Sequence, residues 1–374
     1  YWNPEIASIY LQLKAAFGKL PKMQEIRESI KRCSTFDSAI RSKHVTTSQI
    51  HDAMNLLLKC YIPLILRQAA IATYIVTKKR PSLLLSPDIS DARARLYTLL
   101  CKKYRIPSVN VQFGLTGVEA VEWRNYPGDC VAVWGESSRK ALLRHGVPSD
   151  KIIVTGSPRY EYLSASSLSV ADSVRAKLKI GQGRPVVLFA STYFDPTHSS
   201  YVDPNALVAM KKSIFAAAKR YPEVLLIVKP HPVECMVDVR SLAGVAENIM
   251  VIERDRDGRE FIPVCNAFIS FGSTMTLDAL LSEKLCICPA FPGWPFSEVF
   301  EGTGAVLNPR TPEEIDQIFG RIASKDGFVI EREMVTARTD FLYSTVSDNG
   351  EDASERIRRI ISEMIGGATR TQSG

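Results

Sequence analysis

Short apolar runs that alternate with helical segments recur along most of this chain, and they constrain its fold more than any other feature. From Pro81 onward the runs are joined to the helical segments by short loops rich in Gly, Pro, Ser and Asp. Strands followed by helices in this way pair in parallel, and the helices cover both faces of the sheet. We therefore predict an α/β chain with two successive Rossmann-like, parallel-sheet domains that face a cleft.

The pattern also suggests where these domains begin and end. Residues 1–80 are predicted to be mostly helical and to open an N-terminal domain that spans residues 1–165. A ligand-binding domain is expected at 166–345, and a C-terminal helix and tail at 346–374. The predicted strands lie at residues 82–86, 107–112, 129–134 and 151–155 in the first domain, and at 185–190, 224–228, 249–252, 267–271, 285–288 and 305–307 in the second.

Composition narrows the class of protein and its partners. The 374 residues are 45% hydrophobic and 23% charged, which is ordinary for a globular protein, and the formal net charge is +7. That excess suits a small anionic ligand or a membrane surface, but it is too weak and too spread out to indicate nucleic acid. The eight scattered cysteines show no zinc-binding spacing and predict reduced thiols in the cytoplasm, with Cys286 and Cys288 in the core. The apolar segment 60–76 is interrupted by Pro63 and Arg67, so we expect a buried helix and no membrane span.

A turn in the second domain carries the clearest candidate for ligand binding. Lys229-Pro230-His231-Pro232 follows the apolar run at 224–228, and its prolines cannot continue a strand. The lysine and the histidine therefore lie just past the carboxyl end of a strand, where open α/β sheets bind ligands. Both offer donors that suit phosphate oxygens, so Lys229, His231 and Pro232 are predicted to bind a nucleotide.

Three more loops follow strand ends in the same domain. Ser191 and Thr192 follow one strand. Gly272-Ser273-Thr274 opens a helix, where free backbone N–H groups and two hydroxyls favour a phosphate, although an ordinary helix cap has the same pattern. The loop 289–296 holds three prolines and three aromatic residues, which suit either stacking on a base or packing within the protein. Glu298 beyond it is a candidate for ribose hydroxyls.

The first domain offers weaker candidates for a catalytic base. A transferase needs a group that removes the proton of the acceptor hydroxyl, and we assign this role to Asp88, Asp91 or Glu119. Each of the aspartates also suits a cap or turn. Asp255-Arg256-Asp257 has the letters of a metal-binding D-x-D motif but lies in a charged loop, so no metal site and no cofactor are predicted.

Several segments together resemble the GT-B-fold enzymes that build bacterial surface carbohydrates. They include Val109-Asn110-Val111-Gln112-Phe113-Gly114, Val154-Thr155-Gly156-Ser157-Pro158-Arg159, the Lys229 turn, Gly272-Ser273-Thr274 and Ala353-Ser354-Glu355-Arg356-Ile357. The group contains capsule Kdo and sialic acid transferases, CDP-glycerol glycerophosphotransferases and the related UDP-N-acetylglucosamine 2-epimerases. One departure is Phe113, because the group often has Gln-His-Gly where this chain has Gln112-Phe113-Gly114.

The resemblance implies a glycosyltransferase for surface polysaccharide synthesis that uses a nucleotide-activated sugar. His231 and Lys229 would contact the nucleotide phosphates, and Ser273 with Thr274 looks like the motif that holds CMP in the sialyl and Kdo transferases, so a CMP-sugar is favoured. The acceptor would be a carbohydrate or a lipid-linked molecule, and the enzyme would work in the cytoplasm, at the inner face of the membrane. An epimerase, a CDP-glycerol glycerophosphotransferase and a catalytically silent nucleotide-binding scaffold remain alternatives.

Overall fold

The computed structural model describes residues 3–18, 56–87, 92–116, 123–161, 168–193, 203–324, 326–346 and 352–372. The chain forms two compact units that interleave along the sequence. The first comprises Tyr1–Val111, Asn125–Ala132 and Arg358–Gly374, and the second comprises Gln112–Arg124 and Val133–Ile357. The division into domains at residues 165 and 345 stays a prediction.

A parallel sheet with strand order β1-β2-β3-β4 contains the four strands predicted first along the chain. Leu84 pairs with Ser108 and Val109 pairs with Cys130, both in parallel register. The strands are β1 Leu84–Pro87, β2 Ser108–Val111, β3 Cys130–Val133 and β4 Ile152–Val154, and the early helices are α1 Pro4–Gly18, α2 Ile62–Tyr74, α3 Ala92–Lys103, α4 Glu136–Arg144 and α5 Leu168–Lys177.

Helix α2 differs from its prediction as a buried core helix. It is extended at both ends by π-helical turns, Leu57–Tyr61 and Ile75–Lys79. Within the described residues, one helix, Lys59–Lys79, is long and apolar enough to cross a membrane by length and composition, yet only 17% of its most apolar stretch is buried. Leu64 and Ile65 are about half exposed, while Ala70 and Ala72 are fully buried. The helix thus buries one side only, which apolar content alone could not reveal.

The second sheet has the order β7-β6-β5-β8-β9, and all of its pairs are parallel. The chain proceeds outward from β5 to β7 and then returns to the other side of β5 with β8. Adjacent strands whose connections leave in opposite directions create a crevice at their carboxyl ends, and here that point lies between β5 and β8. The strands are β5 Val186–Ala190, β6 Leu225–Lys229, β7 Ile249–Val251, β8 Ala267–Ser270 and β9 Leu285–Ile287.

Both faces of this sheet are covered, as its continuous apolar strands predict. Alternate residues of β5 enter opposite layers: Val187 and Phe189 pack on one face, and Leu188 packs on the other. Cys286 and Cys288 are buried in the second layer, as expected, and all seven cysteines of the described residues are free thiols. The covering helices are α6 Pro204–Arg220, α7 Met236–Ala243, α8 Met275–Leu281, α9 Pro312–Ala323 and α10 Arg332–Val346, followed by α11 Ala353–Gln372.

One predicted strand of this unit is shorter than expected. The strand predicted at 305–307 reduces to one parallel bridge between Ile287 and Leu307. The segment between β7 and β8 forms a 3₁₀ helix, Gly258–Val264, that contains Pro263. Proline lacks the N–H that an α-helix interior requires.

Candidate functional site

A cavity of about 300 Å³ opens at the carboxyl ends of β5, β6 and β8, where the strand order reverses. Its volume is at the lower end of the range that small-molecule sites occupy. Five of the eight residues predicted to bind a nucleotide line it together, and three do not. The lining predicted residues are Ser191, Thr192, His231, Ser273 and Thr274, joined by Tyr193, Phe271, Trp294 and Phe296.

Glu234, for which no role was predicted, holds the loops around this cavity together. Its buried carboxylate accepts hydrogen bonds from the Ser191 hydroxyl at 2.9 Å and from the His231 backbone N–H at 3.0 Å, and it pairs with the ammonium of Lys211 in α6. The Glu234 N–H in turn donates to the His231 carbonyl at 2.9 Å. The spacing His-Pro-x-Glu is the sequence signal for this reciprocal turn, which resembles a capping box.

The ring of His231 is placed to donate a hydrogen bond in its neutral form. Its Nδ1 accepts from the Val233 N–H at 3.4 Å, which leaves the ring hydrogen on Nε2. Burial lowers the pKa of His231 below 6.5; Glu234 opposes this effect, while Lys229 and Lys211 add to it. The histidine is therefore neutral at pH 7, and a bound phosphate would raise its pKa.

This lowered pKa predicts how the stability of the protein depends on pH. The unfolded chain protonates His231 near pH 6.5 while the folded protein resists protonation, so unfolding takes up a proton below that pH. We expect the free energy of unfolding to fall more for the wild type than for His231→Gln as the pH drops from about 7 to about 5. Urea unfolding at several pH values measures this, and parallel curves for the two proteins throughout the range would contradict it.

Lys229 ends β6 but does not line the cavity. Its ammonium donates to the Pro230 carbonyl at 2.7 Å and to the Arg254 carbonyl at 2.9 Å, and burial lowers its pKa. These two acceptors take two of its three hydrogens. Lys229 therefore anchors the turn to the loop after β7, and its contact with phosphate stays a prediction.

The hydroxyls of Ser273 and Thr274 are oriented so that they can donate to a ligand. The Ser273 Oγ accepts from the Met275 N–H at 3.2 Å, and the Thr274 Oγ1 accepts from the Leu115 N–H at 3.3 Å. Because each oxygen already accepts a backbone hydrogen, its own O–H hydrogen remains for another acceptor. Ser191 differs, because its hydroxyl donates to Glu234 and it offers the cavity lone pairs only.

Gly272 fixes the position of these hydroxyls relative to the aromatic loop. Its φ is +93°, and a Cβ atom there would lie 2.2 Å from the Phe296 carbonyl oxygen. No side chain fits such an approach, and the left-handed backbone disfavours every residue except glycine. The glycine thus allows the Ser273 loop and the Phe296 loop to meet at one wall of the cavity.

The aromatic loop at 289–296 packs mainly within its own unit. Phe291 and Trp294 are stacked with centroids 5.9 Å apart and are nearly buried in the core beside Phe271. The Trp294 Nε1 donates to the Phe271 carbonyl at 2.9 Å. Phe296 is partly exposed and lines the cavity, so it is the aromatic ring of this loop best placed for a base or sugar.

The remaining nucleotide candidates, Pro232 and Glu298, are exposed and do not line the cavity, and their roles stay predictions. The candidate bases Asp88, Asp91 and Glu119 lie outside the described residues.

The structure defines the surroundings of two residues, Arg159 and Phe113, from the motifs that carry the family resemblance. Arg159 forms a 2.7 Å ion pair with Asp278, which is buried in α8. Phe113 is 75% exposed, whereas its neighbour Gln112 is fixed by hydrogen bonds to Trp134 N and Gly114 O.

The Asp255-Arg256-Asp257 segment is engaged in local contacts. Asp257 caps the 3₁₀ helix at Gly258 and binds the Arg259 guanidinium, whose hydrogen bonds lower the pKa of that carboxyl. Arg256 pairs with Glu260. In the part of the chain that the structure describes, no group of three or more His, Cys, Asp or Glu side chains is arranged to hold a metal ion.

Comparisons with known proteins bear on the same region. The sequence model of the family "CDP-Glycerol:Poly(glycerophosphate) glycerophosphotransferase" matches residues 129–281, which include the Lys229 turn and the Ser273 loop. A search among curated proteins found no similar sequence.

Solved structures show the same fold at low sequence identity. The S. aureus protein MnaA, solved with UDP, has a TM-score of 0.58 at 14% identity, with 81% of each chain covered. A UDP-N-acetylglucosamine 2-epimerase from Rickettsia bellii has a TM-score of 0.58 at 14% identity, covering 82% of this chain and 80% of its own. A glycosyltransferase from Rickettsia africae has a TM-score of 0.51 at 14% identity, covering 89% and 88%. The predicted GT-B-like α/β fold with two parallel sheets is confirmed.

Proposed function

We propose that this protein is a transferase that moves a sugar or a sugar-like phosphate from a cytidine-activated donor to a carbohydrate or lipid-linked acceptor in surface polysaccharide synthesis. The observation that carries the proposal is the meeting of His231, Ser273 and Thr274 on one cavity at the switch point of a parallel sheet. CMP-sugars remain the favoured donors, and the family match at residues 129–281 adds CDP-glycerol to the cytidine donors worth testing.

The residues around the cavity can stabilise a departing nucleotide phosphate. In the reaction, the acceptor oxygen forms a bond to the transferred carbon or phosphorus, and the bond from that atom to the nucleotide oxygen breaks. The nucleotide leaves with the electron pair, and the acceptor proton passes to a base, for which Asp88, Asp91 and Glu119 are the candidates. Hydrogen bonds from His231 Nε2 and from the Ser273 and Thr274 hydroxyls would strengthen as charge develops on the leaving oxygen.

The charges beneath the cavity also favour an anion. The charges that act on His231 are Glu234 and the two ammonium groups of Lys229 and Lys211. Asp257 and Asp255 oppose the charge of Lys229 from the loop after β7. A phosphate near His231 would therefore meet two positive charges, one of them partly offset by these aspartates.

A second candidate is an epimerase that acts on a UDP-sugar without an acceptor. It is favoured by the fold shared with UDP-N-acetylglucosamine 2-epimerases. The exposed Phe113, in place of the histidine that the resembling group often has, argues against a direct copy of that site.

Turnover of defined donors distinguishes a transferase from an epimerase and from a catalytically silent protein. The full chain is incubated with CDP-glycerol, with a CMP-sugar or with UDP-N-acetylglucosamine, each with and without a carbohydrate acceptor, and released nucleotide and sugar products are measured. We expect acceptor-dependent release of CMP from a cytidine donor, reduced about 100-fold in His231→Ala. Epimerised UDP-sugar without acceptor would support the second candidate, and the absence of any turnover would support a silent nucleotide-binding protein.

A further inference from the structure

A second cavity, of about 470 Å³, lies in the first compact unit and has no part in the proposed nucleotide site. It forms where the helix at Lys59–Lys79 and helix α3 both end. Its walls are apolar at Val76, Ile106 and Ile365, whereas Arg80 and Arg105 supply positive charge to its lining and Tyr104 adds a hydroxyl. Such a cavity suits a ligand that is anionic at one end and apolar at the other.

The two arginines share an unusual backbone. Arg80 ends its helix with φ +44°, and Arg105 follows α3 with φ +57°. Helix ends that need this left-handed conformation usually carry glycine, because a side chain there is sterically disfavoured. Lys179 and Glu283 have the same conformation after other helices, so at Arg80 and Arg105 it defines where the chain leaves the two helix ends that border the cavity.

Among the residues that the structure describes, neither arginine has a partner of opposite charge. Neither guanidinium forms an ion pair or a side-chain hydrogen bond in the part of the chain that the structure describes, whereas nearby Lys78 pairs with Glu5 at 2.9 Å. Guanidinium groups bind phosphate oxygens through paired hydrogen bonds. Two unpaired guanidinium groups on one cavity therefore match a phosphate group.

The surrounding sequence strengthens this preference for an anion. Residues 56–87 and 92–116 contain ten Lys and Arg residues and no Asp or Glu, and only Asp88 and Asp91 lie between the two stretches. The formal net charge of the entire chain is only +7. Six of the ten lie at the two helix ends that border this cavity, and this positive charge attracts anionic groups and anionic surfaces. They are Lys78, Lys79, Arg80, Lys102, Lys103 and Arg105.

The helix that leads to the cavity is unusually apolar on its exposed side. Tyr61, Leu64 and Ile65 are each about half exposed. Exposed apolar side chains beside basic residues are typical of surfaces that meet lipid. Because these three residues lie 15 or more positions before Arg80, about 22 Å along the helix, an anionic lipid surface, and not the hydrocarbon chain of one bound lipid, would meet both the helix and the arginines.

We propose that the Arg80–Arg105 cavity binds a phosphate ester, and that this binding is separate from the nucleotide site. The same chemistry has two sources, the headgroup of a phospholipid at a membrane surface and a soluble phosphate ester. The exposed apolar helix favours the lipid headgroup.

The test compares both sources on the full chain. Glycerol 3-phosphate is titrated in solution, and flotation measures binding to vesicles of phosphatidylcholine alone or with about one third phosphatidylglycerol. The cavity variant is Arg80→Gln with Arg105→Gln. The matched control, Lys79→Gln with Lys102→Gln, removes two charges from the same helix ends without touching the lining.

We expect binding to phosphatidylglycerol vesicles to fall at least about tenfold in the cavity variant and less than about threefold in the control. Binding of glycerol 3-phosphate alone, with the same dependence on the arginines, would support a soluble ligand. Equal losses in both variants, or no binding of either probe by the wild type, would overturn the proposal. If the cavity variant keeps the melting temperature of the wild type, its loss of binding does not come from misfolding. If its response to nucleotides is also unchanged, the loss is separate from any failure of the nucleotide site.

Discussion

Replacing Glu234 by alanine is expected to lower the free energy of unfolding by about 3–5 kcal/mol, because the change leaves the buried ammonium of Lys211 without its counter-ion. The same change removes the acceptor of the Ser191 hydroxyl and of the His231 backbone N–H. Since these contacts set the positions of two loops at the cavity, the variant is also expected to lose nucleotide binding. Urea unfolding and nucleotide titration measure the two effects.

A matched control comes from Glu253, which pairs with Arg240 at 2.6 Å on the surface with both side chains more than half exposed. Exposed ion pairs contribute about 0–1 kcal/mol, so Glu253→Ala should unfold at nearly the wild-type urea concentration. The variant Glu234→Gln keeps the shape of the side chain and some of its acceptors, and we expect an intermediate loss. Similar stability of the Glu234 and Glu253 alanine variants would contradict the organising role of Glu234.

The second large effect is expected from Gly272→Ala. A Cβ atom would lie 2.2 Å from the Phe296 carbonyl oxygen, and the backbone at φ +93° is unfavourable for alanine. Because a backbone carbonyl cannot rotate away as a side chain does, one of the two loops must move. We expect a loss of about 2–4 kcal/mol in the free energy of unfolding, within the range of substitutions at special backbone positions.

Gly146→Ala separates the backbone strain from the clash. Gly146 has φ +80°, similar to Gly272, but an added Cβ would meet no atom within 4 Å. We expect this control to lose only about 1 kcal/mol and to keep its affinity for nucleotides. If Gly272→Ala were as stable as Gly146→Ala, the close approach of Phe296 would not constrain the cavity wall.

Much of the fold could be predicted because its determinants are local. The runs at 186–190 and 224–228 are continuously apolar, as expected of strands that are covered on both faces. The same logic located His231, Ser273 and Thr274, since parallel strands bring their carboxyl ends to one edge of the sheet. The half-exposed helix at Lys59–Lys79 could not be predicted, because apolar content does not show which side is covered.

The inner structure of the candidate site depends on contacts between distant residues. The ammonium of Lys229 bonds to the carbonyl of Arg254, 25 positions away, a contact that no strand pattern indicates, and its predicted contact with phosphate stays a prediction. Glu234 was overlooked because its partners Ser191 and Lys211 come from other elements of the unit. Residue types at strand ends thus indicated the location of the cavity. The hydrogen bonds that shape it could be identified only from the three-dimensional structure.

The most direct measurement of the proposed nucleotide site is the melting temperature of the full chain with CMP, CDP and UDP, for the wild type, His231→Ala and the control His145→Ala. His145 follows helix α4 and does not line the cavity. A ligand at about 100 times its Kd adds about 2.7 kcal/mol to the stability of the folded protein. We predict that a cytidine nucleotide raises the melting temperature of the wild type and of the His145 variant but raises that of the His231 variant much less. No shift with any nucleotide, or an equal shift in the His231 variant, would contradict the assignment of this cavity as the nucleotide site.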